Sequence, residues 1–323
     1  MTLLLTHDDV RSAVTMDDAI AAMEAGFKEE GEGETLLPQR TNVKLSKGWL
    51  RVGPVAMEGS GWMGFKAMNL APGHGVRYQV HLYKIATGEL VAIMDAQHLT
   101  TLRTGATSAV ATRRLARPQK ALTALLGSGP EARAQLEAMV AAGYVSKARV
   151  FSPTEANREK LASEFREKGV DIDAAPSAQA ACDGASLILA AVKSSEPVLN
   201  AAWLQAGAHV NSVGTARRDQ RELDIDTFRV ASPIAVDTRK GVFEEAGDAV
   251  AAADAVSENN VHELRDIVAG KAPGRTSDDQ ITLFKSVGTG IQDIALASVI
   301  YQKALDAGLG TDLGEFPFLK RNK

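Results

Sequence analysis

The clearest hydrophobic pattern lies between residues 121 and 192, where short apolar runs alternate with segments of helical spacing. The runs at 121–126, 148–151 and 185–192 read as strands, and the segments at 133–142 and 155–168 between them read as helices. That alternation predicts βαβ units and a parallel sheet with helices on its faces. It continues through apolar runs at 209–214 and 234–236, with a short helix at 201–204. Residues 1–118 have a different texture. A short strand at 3–5 and an amphipathic helix at 16–30 are followed by strands punctuated by Gly and Pro, including 79–84 and 90–95; a helix at 100–116 then leads to Pro118. The predicted fold class is α/β. Residues 119–290 form a Rossmann doubly wound parallel sheet, and residues 1–118 with 291–323 form a second α/β domain, the helix at 291–307 returning to it.

The first strand, Ala121–Leu126, breaks directly into Gly127-Ser128-Gly129-Pro130-Glu131-Ala132. In such a turn the first glycine permits the sharp reversal, the second lets a pyrophosphate approach backbone N–H groups, and a small residue at the third position lets the helix pack close to the sheet. Pro130 suits the first helical position, and the positive end of that helix attracts phosphate. Gly127, Ser128, Gly129, Pro130 and Glu131 are therefore candidate dinucleotide contacts, completed by the strand ends at Val192 and Gly214. An NAD-selective site usually carries an acid at the end of the second strand for the ribose 2′-hydroxyl. Here Ser152-Pro153-Thr154 stands in its place. A carboxylate would repel a 2′-phosphate, whereas the hydroxyls of Ser152 and Thr154 and the Arg158 guanidinium would hold one. The expected cofactor is NADP(H) in preference to NAD(H).

Composition narrows the partners. The chain has 323 residues, 45% of them hydrophobic, enough for two domains with their own cores. A net charge of −4, with no basic stripe, gives no reason to expect nucleic acid or a membrane surface. The apolar runs are too short to span a bilayer, and residues 1–30 lack the pattern of a signal peptide, so a cytoplasmic protein is expected. Cys182 is the only cysteine, in apolar surroundings that suggest an inert thiol, and the six histidines form no ligand grouping. No metal site is expected.

Basic residues of the first domain are the candidates for chemistry. Arg40 follows Pro38-Gln39, Lys66 stands in Gly64-Phe65-Lys66, and Arg103 stands in Leu102-Arg103-Thr104-Gly105-Ala106. Planar guanidinium groups pair bidentately with a carboxylate, so two arginines would clamp the acid group of an α-amino or α-imino acid. A lysine beside the reacting carbon would donate a proton or stabilise charge. Lys66 has apolar neighbours in sequence, and Arg103 sits among small residues on a predicted helix, where an unpaired charge is costly.

Arg40, Gly64-Phe-Lys66, Asn69, Arg103-Thr-Gly-Ala-Thr-Ser-Ala109, Gly127-Ser-Gly129 and Ile281-Thr-Leu-Phe-Lys-Ser-Val-Gly288 together resemble the ornithine cyclodeaminase/μ-crystallin family, in order and over nearly the whole chain. The resemblance implies a substrate domain that forms an open barrel across a homodimer, with the site in the cleft between the domains. It further implies that Arg40 and Arg103 hold the substrate carboxylate, Lys66 acts beside the reacting carbon, and Thr104 lies near the cofactor phosphates. Tyr78, Thr215 and Asp293 are candidates for shaping the pocket; Asp293 reads equally as a helix-start acid. The family's cyclodeaminases place a catalytic aspartate two residues after the glycine of a Val-Gly pair. Val213-Gly214 is followed here by Thr215-Ala216, and alanine accepts no proton. The resemblance is better to the reductase branch, which implies reduction of a cyclic or small α-imino acid, of the Δ1-pyrroline-2-carboxylate or Δ1-piperideine-2-carboxylate type, to an L-α-amino acid. Alanine dehydrogenase-like reductive amination, ornithine cyclodeamination and a non-catalytic NADP-binding crystallin role are the alternatives.

Overall fold

The computed structural model describes residues 1–317 and 319. In chain order its elements are β1 (Leu3–Leu5), α1 (His7–Ala13), α2 (Met16–Glu32), β2 (Thr35–Leu36), β3 (Thr41–Lys44), β4 (Trp49–Met57), β5 (Trp62–Ala71), β6 (Gly75–Lys84), β7 (Leu90–Asp95) and α3 (Gln97–Leu115). There follow β8 (Ala121–Leu126), α4 (Pro130–Ala141), β9 (Val145–Phe151), α5 (Glu155–Glu167), β10 (Ile172–Ala174), α6 (Ala178–Cys182), β11 (Leu187–Ala190) and β12 (His209–Ser212). The remainder comprises α7 (Ile225–Val230), β13 (Ile234–Val236), α8 (Arg239–Glu245), α9 (Gly247–Ala252), β14 (Val261–Glu263), α10 (Leu264–Val268), β15 (Thr282–Lys285), α11 (Gly290–Ala307) and β16 (Thr311–Asp312). Contacts divide the chain into two compact units, Met1–Arg103 with the segment from Thr289 onward, and Thr104–Gly288, so the division falls inside α3. Of the tail grouped with residues 1–118 in the sequence, positions 318 and 320–323 lie outside the described residues.

The first unit is built on a mixed sheet in the order β16-β1-β7-β6-β5-β4-β2, with β3 also pairing with β4. β1 and β7 run parallel; β4, β5, β6 and β7 form an antiparallel meander. Helices α2 and α11 pack on each other, and α11 lies against β4, β5 and β6. Capping boxes at Thr6–Asp9 and Thr15–Asp18 start α1 and α2, each satisfying orphan N–H groups of a first turn. Strand alternation places Gly64 and Lys66 of β5 on the face turned to α11, where Ile294 approaches Gly64.

The second unit is an all-parallel sheet in the order β10-β9-β8-β11-β12-β15-β13-β14. The order reverses between β8 and β11, the switch point at which doubly wound sheets bind ligands beyond the strands' carboxyl ends. The core on one side gathers Leu126, Ile188, Val210, Phe228, Ile234, Leu283 and the buried Cys182. The apolar runs at 185–192 and 209–214 form shorter strands than their hydrophobicity predicts, because the N–H groups of Val192 and Gly214 turn out of the ladder to a buried carboxylate, Glu222. Helix α3 begins at Gln97, earlier than the sequence pattern indicates, since Asp95 accepts the Gln97 N–H. Helix α1 was not anticipated at all.

A larger side chain at the α2–α11 crossing should displace the helix that carries Asp293. Ala295 is buried there, its Cβ 3.0 Å from where a Cβ on Gly26 would stand. Ala295→Leu is expected to cost about 1–3 kcal/mol of stability by overpacking, read as a lowered thermal midpoint; an unchanged midpoint would show that the crossing has slack.

Candidate active site

In the first unit, three elements bring together the basic residues singled out in the sequence. Lys66 on β5 and Arg103 on α3 are each 7% exposed, and both reach Asp293 in the first turn of α11, which is 3% exposed. The Lys66 ammonium lies 2.8 Å from the Asp293 carboxylate. Arg103 donates through Nε to Asp293 at 3.1 Å and through a terminal nitrogen to the Gln292 side-chain oxygen at 2.8 Å. Asp293 is thus both the helix-start acid and a member of the cluster: one carboxylate serves two buried cations and also faces the positive end of α11.

Two further candidates join this cluster. The Lys66 ammonium stands 5.9 Å from the centre of the Tyr78 ring, a cation–π contact. Arg40, in the segment between β2 and β3, lies across Gly53, with its Cγ 3.6 Å from where a Cβ would stand. Gly53 is the register partner of Lys66, so the Arg40 stem crosses the sheet beside the lysine. Burial pushes the Lys66 pKa down and the Asp293 carboxylate opposes that, while the charges of Arg103 and Arg40 add to the lowering; the result is about 8. A lysine with this value exchanges its proton near neutrality.

The remaining candidates belong to the second unit. Gly127 is buried at φ +117°, and a Cβ there would lie 2.3 Å from the Ala191 carbonyl oxygen, so the turn admits only glycine. Gly129 caps α4 in extended conformation without a side-chain hydrogen bond, and Pro130 occupies the first turn with Glu131. The N-cap thus supplies no side chain to the backbone N–H groups at the head of this helix. This donor set at the β8–β11 switch point fits a dinucleotide pyrophosphate. At the end of β9, the Ser152 hydroxyl donates to the Thr154 carbonyl at 3.2 Å, and Arg158 donates to the Ser152 carbonyl at 3.1 Å while lying 6.0 Å from the Phe151 ring centre. Arg158 also faces the exposed Glu155 at 3.8 Å. Val192 and Gly214 follow β11 and β12. Thr104 is buried on α3 and its carbonyl accepts from Ser108. Thr215 is buried within the second unit beside Gln220, so its own hydrogen bonds do not join it to the Lys66 cluster.

Sequence reasoning missed Gln292 and the buried trio Glu222, Asp248 and Lys285. Gln292 was findable as the neighbour of Asp293, and Lys285 stood in the Ile281–Gly288 motif without an assigned role; the trio as a group spans separate segments with no spacing signal. Among the described residues no group of His, Cys, Asp and Glu is arranged to hold a metal, and no helix is long and apolar enough to cross a membrane.

The chain matches the ornithine cyclodeaminase/mu-crystallin family over residues 1–308. It belongs to that family. A solved structure of the Δ1-pyrroline-2-carboxylate reductase of Thermococcus litoralis, in complex with NADH and L-proline, superposes with a TM-score of 0.91 at 35% identity, covering 97% of this chain and 100% of that one. An archaeal alanine dehydrogenase dimer with bound NAD gives a TM-score of 0.92 at 31% identity over 98% and 99% of the two chains. The ketimine reductase mu-crystallin of Mus musculus is 31% identical over 91% of this chain and 94% of its own. The fold expected from the sequence, a Rossmann sheet beside a second α/β unit, is that of these family members. The protein is an NAD(P)-dependent oxidoreductase of the ornithine cyclodeaminase/mu-crystallin family.

Asp293→Asn removes the carboxylate that holds Lys66 protonated. The Lys66 pKa should then fall below about 8, and two buried cations left without a counterion should cost about 3–5 kcal/mol. Heteronuclear NMR of labelled lysine across pH reads the first effect and thermal unfolding the second; an unmoved lysine titration would show that Asp293 does not govern it.

Proposed function

We propose that the protein reduces a cyclic or small α-imino acid, of the Δ1-pyrroline-2-carboxylate or Δ1-piperideine-2-carboxylate type, to the L-α-amino acid with NADPH. The observation that carries this reading is the buried Lys66–Asp293–Arg103 cluster, with the lysine tuned to about 8. Arg103, its Nε and one terminal nitrogen already engaged, offers the other terminal nitrogen to the substrate carboxylate, and Arg40 approaches the same group from across Gly53. The Lys66 ammonium hydrogen-bonds the imine nitrogen and delivers its proton as the C=N bond becomes CH–NH. Asp293 keeps that ammonium charged until transfer and fixes where it points. A nicotinamide dinucleotide held at the Gly127–Pro130 turn would supply the hydride needed at the imine carbon. One proton from Lys66 and one hydride account for both added hydrogens.

The residue inventory disfavours cyclodeamination. Ala216 stands where a ring-closing base is needed, and the nearest acid, Asp219, is exposed and paired with Arg217. Reductive amination of a 2-oxo acid is the second reading, favoured by the likeness to archaeal alanine dehydrogenase. NADPH is preferred in our reading because no carboxylate ends β9 and Arg158 stands beside Ser152 there; the archaeal relatives carry NADH and NAD. The dimeric alanine dehydrogenase also supports a homodimer here, which molar mass in solution tests.

Oxidation of NADPH and NADH with Δ1-pyrroline-2-carboxylate, Δ1-piperideine-2-carboxylate and pyruvate plus ammonium should show turnover of a cyclic imine. Saturation by ammonium with pyruvate alone would favour the second reading, and no turnover with any of them would favour a binding role. Since Lys66 must be protonated to donate, kcat/KM for imine reduction should decline as pH rises through about 8. Lys66→Met should lower kcat by about 10²-fold or more with NADPH affinity retained; an unchanged kcat would remove Lys66 from the mechanism. Ser152→Asp should move the preference towards NADH by repelling the 2′-phosphate, and an unmoved preference would misplace that end of the site.

A further inference from the structure

Beneath the carboxyl ends of β11 and β12 lies a buried network of two carboxyl groups, an amine and a hydroxyl. Glu222, Lys285 and Ser212 are 0% exposed and Asp248 is 1% exposed. The Lys285 ammonium has three N–H groups, directed to Ser212 Oγ at 2.7 Å, Asp248 Oδ2 at 2.8 Å and Glu222 Oε2 at 3.2 Å. Ser212 donates in turn to Glu222 Oε2 at 2.6 Å. The Glu222 carboxylate also accepts the backbone N–H of Val192 at 2.8 Å and that of Gly214 at 2.9 Å. Asp248 accepts the N–H groups of Glu222, Leu223 and Ala249. Every hydrogen bond to Glu222 comes from a donor, so its ionised form is the one this geometry serves. Burial works against the Lys285 charge, yet Asp248 and Glu222 hold its pKa above the ordinary value. Burial and the Asp248 charge push the Glu222 carboxyl up, and the Lys285 ammonium, the Ser212 hydroxyl and the Val192 N–H oppose them; with both carboxylates ionised against one ammonium, the network carries an excess negative charge.

The position of this charge matters. In a doubly wound sheet the second strand, here β9, marks the adenosine half of the dinucleotide, and the other half extends over the strands beyond the switch point. Those strands are β11 and β12, and their exits are the two segments tied to Glu222. The tie is close: a Cβ on Gly214 would lie 2.4 Å from Val192 N and 2.5 Å from Glu222 Oε1. We propose that Glu222 is a positioning residue for the nicotinamide end of the cofactor, fixing the Val192 and Gly214 exits and placing a buried negative charge that favours the oxidised, cationic ring over the reduced, neutral one. This rests on the dinucleotide-binding reading of the unit and does not depend on which imino acid is reduced.

The test is the ratio of two dissociation constants, because a merely structural role weakens both cofactor forms alike. Fluorescence titration gives the reduced dinucleotide, and competition against it gives the oxidised one. Glu222→Gln keeps the length of the side chain and removes one charge; it should weaken the oxidised form about ten-fold more than the reduced form. Equal weakening of the two, or none, would overturn the proposal. Should Glu222→Gln fail to fold, Asp248→Asn removes a charge of the same network without touching Val192 or Gly214. It should shift the ratio in the same direction, and an unshifted ratio there overturns the proposal equally. A protein that shows the shift but reduces no imino acid leaves this inference standing and counts only against the substrate reading.

Discussion

The first unit depends on Asp293 as the shared counterion of Lys66 and Arg103. Two cations at 7% exposure carry a desolvation penalty that hydrophobic packing around them cannot offset. The carboxylate between them makes their burial tolerable, and the first turn of α11 makes the carboxylate tolerable in turn, through its aligned N–H groups. The apolar face of α11, including Ile291, Ile294, Leu296 and Ile300, anchors that turn against the sheet. A strand residue, the residue at the unit boundary in α3 and a helix 190 positions further along are thereby locked in one geometry. Such a cluster is preorganised: its charges are held in one arrangement by the fold, and on the proposed reading little reorganisation would remain for a chemical step.

The second unit solves a comparable problem with the opposite sign. There a lysine ammonium is the shared counterion and two carboxylates surround it. Glu222 does double work, since its oxygens also receive backbone N–H groups that have left the strand ladder. Buried backbone donors must find partners. Here their partner is a side chain rather than another strand, and that is why β11 and β12 end where they do.

What the sequence disclosed followed the range of the interactions involved. The Gly127–Pro130 turn and the β8–α4–β9 unit were legible because their requirements are local: a positive φ, a proline at a helix start and an apolar run of strand length. Lys66, Arg103 and Arg40 were singled out in the sequence as candidates, but their convergence was not legible, because it depends on β4–β5 register and on the arrival of α11. Asp293 was ambiguous, as an acid in a first helical turn looks the same whether or not it meets a lysine. Lys285 stood within the Ile281–Gly288 motif without a role of its own, and Glu222 and Asp248 read as common charged residues; only tertiary folding brings the three together and removes them from water. Helix α1 was missed although Thr6 and Asp9 stand at capping-box spacing, because its seven residues are too few to show a period.

The lone cysteine carries a practical consequence. Cys182 closes α6 within the apolar core of the second unit, and burial pushes its thiol up to about 12. At neutral pH it is neither a nucleophile nor an easy target for oxidants. The folded chain should therefore react with maleimides and iodoacetamides only slowly. A cysteine introduced at any exposed position becomes a unique attachment point for a fluorophore, spin label or surface tether, with no background substitution needed first.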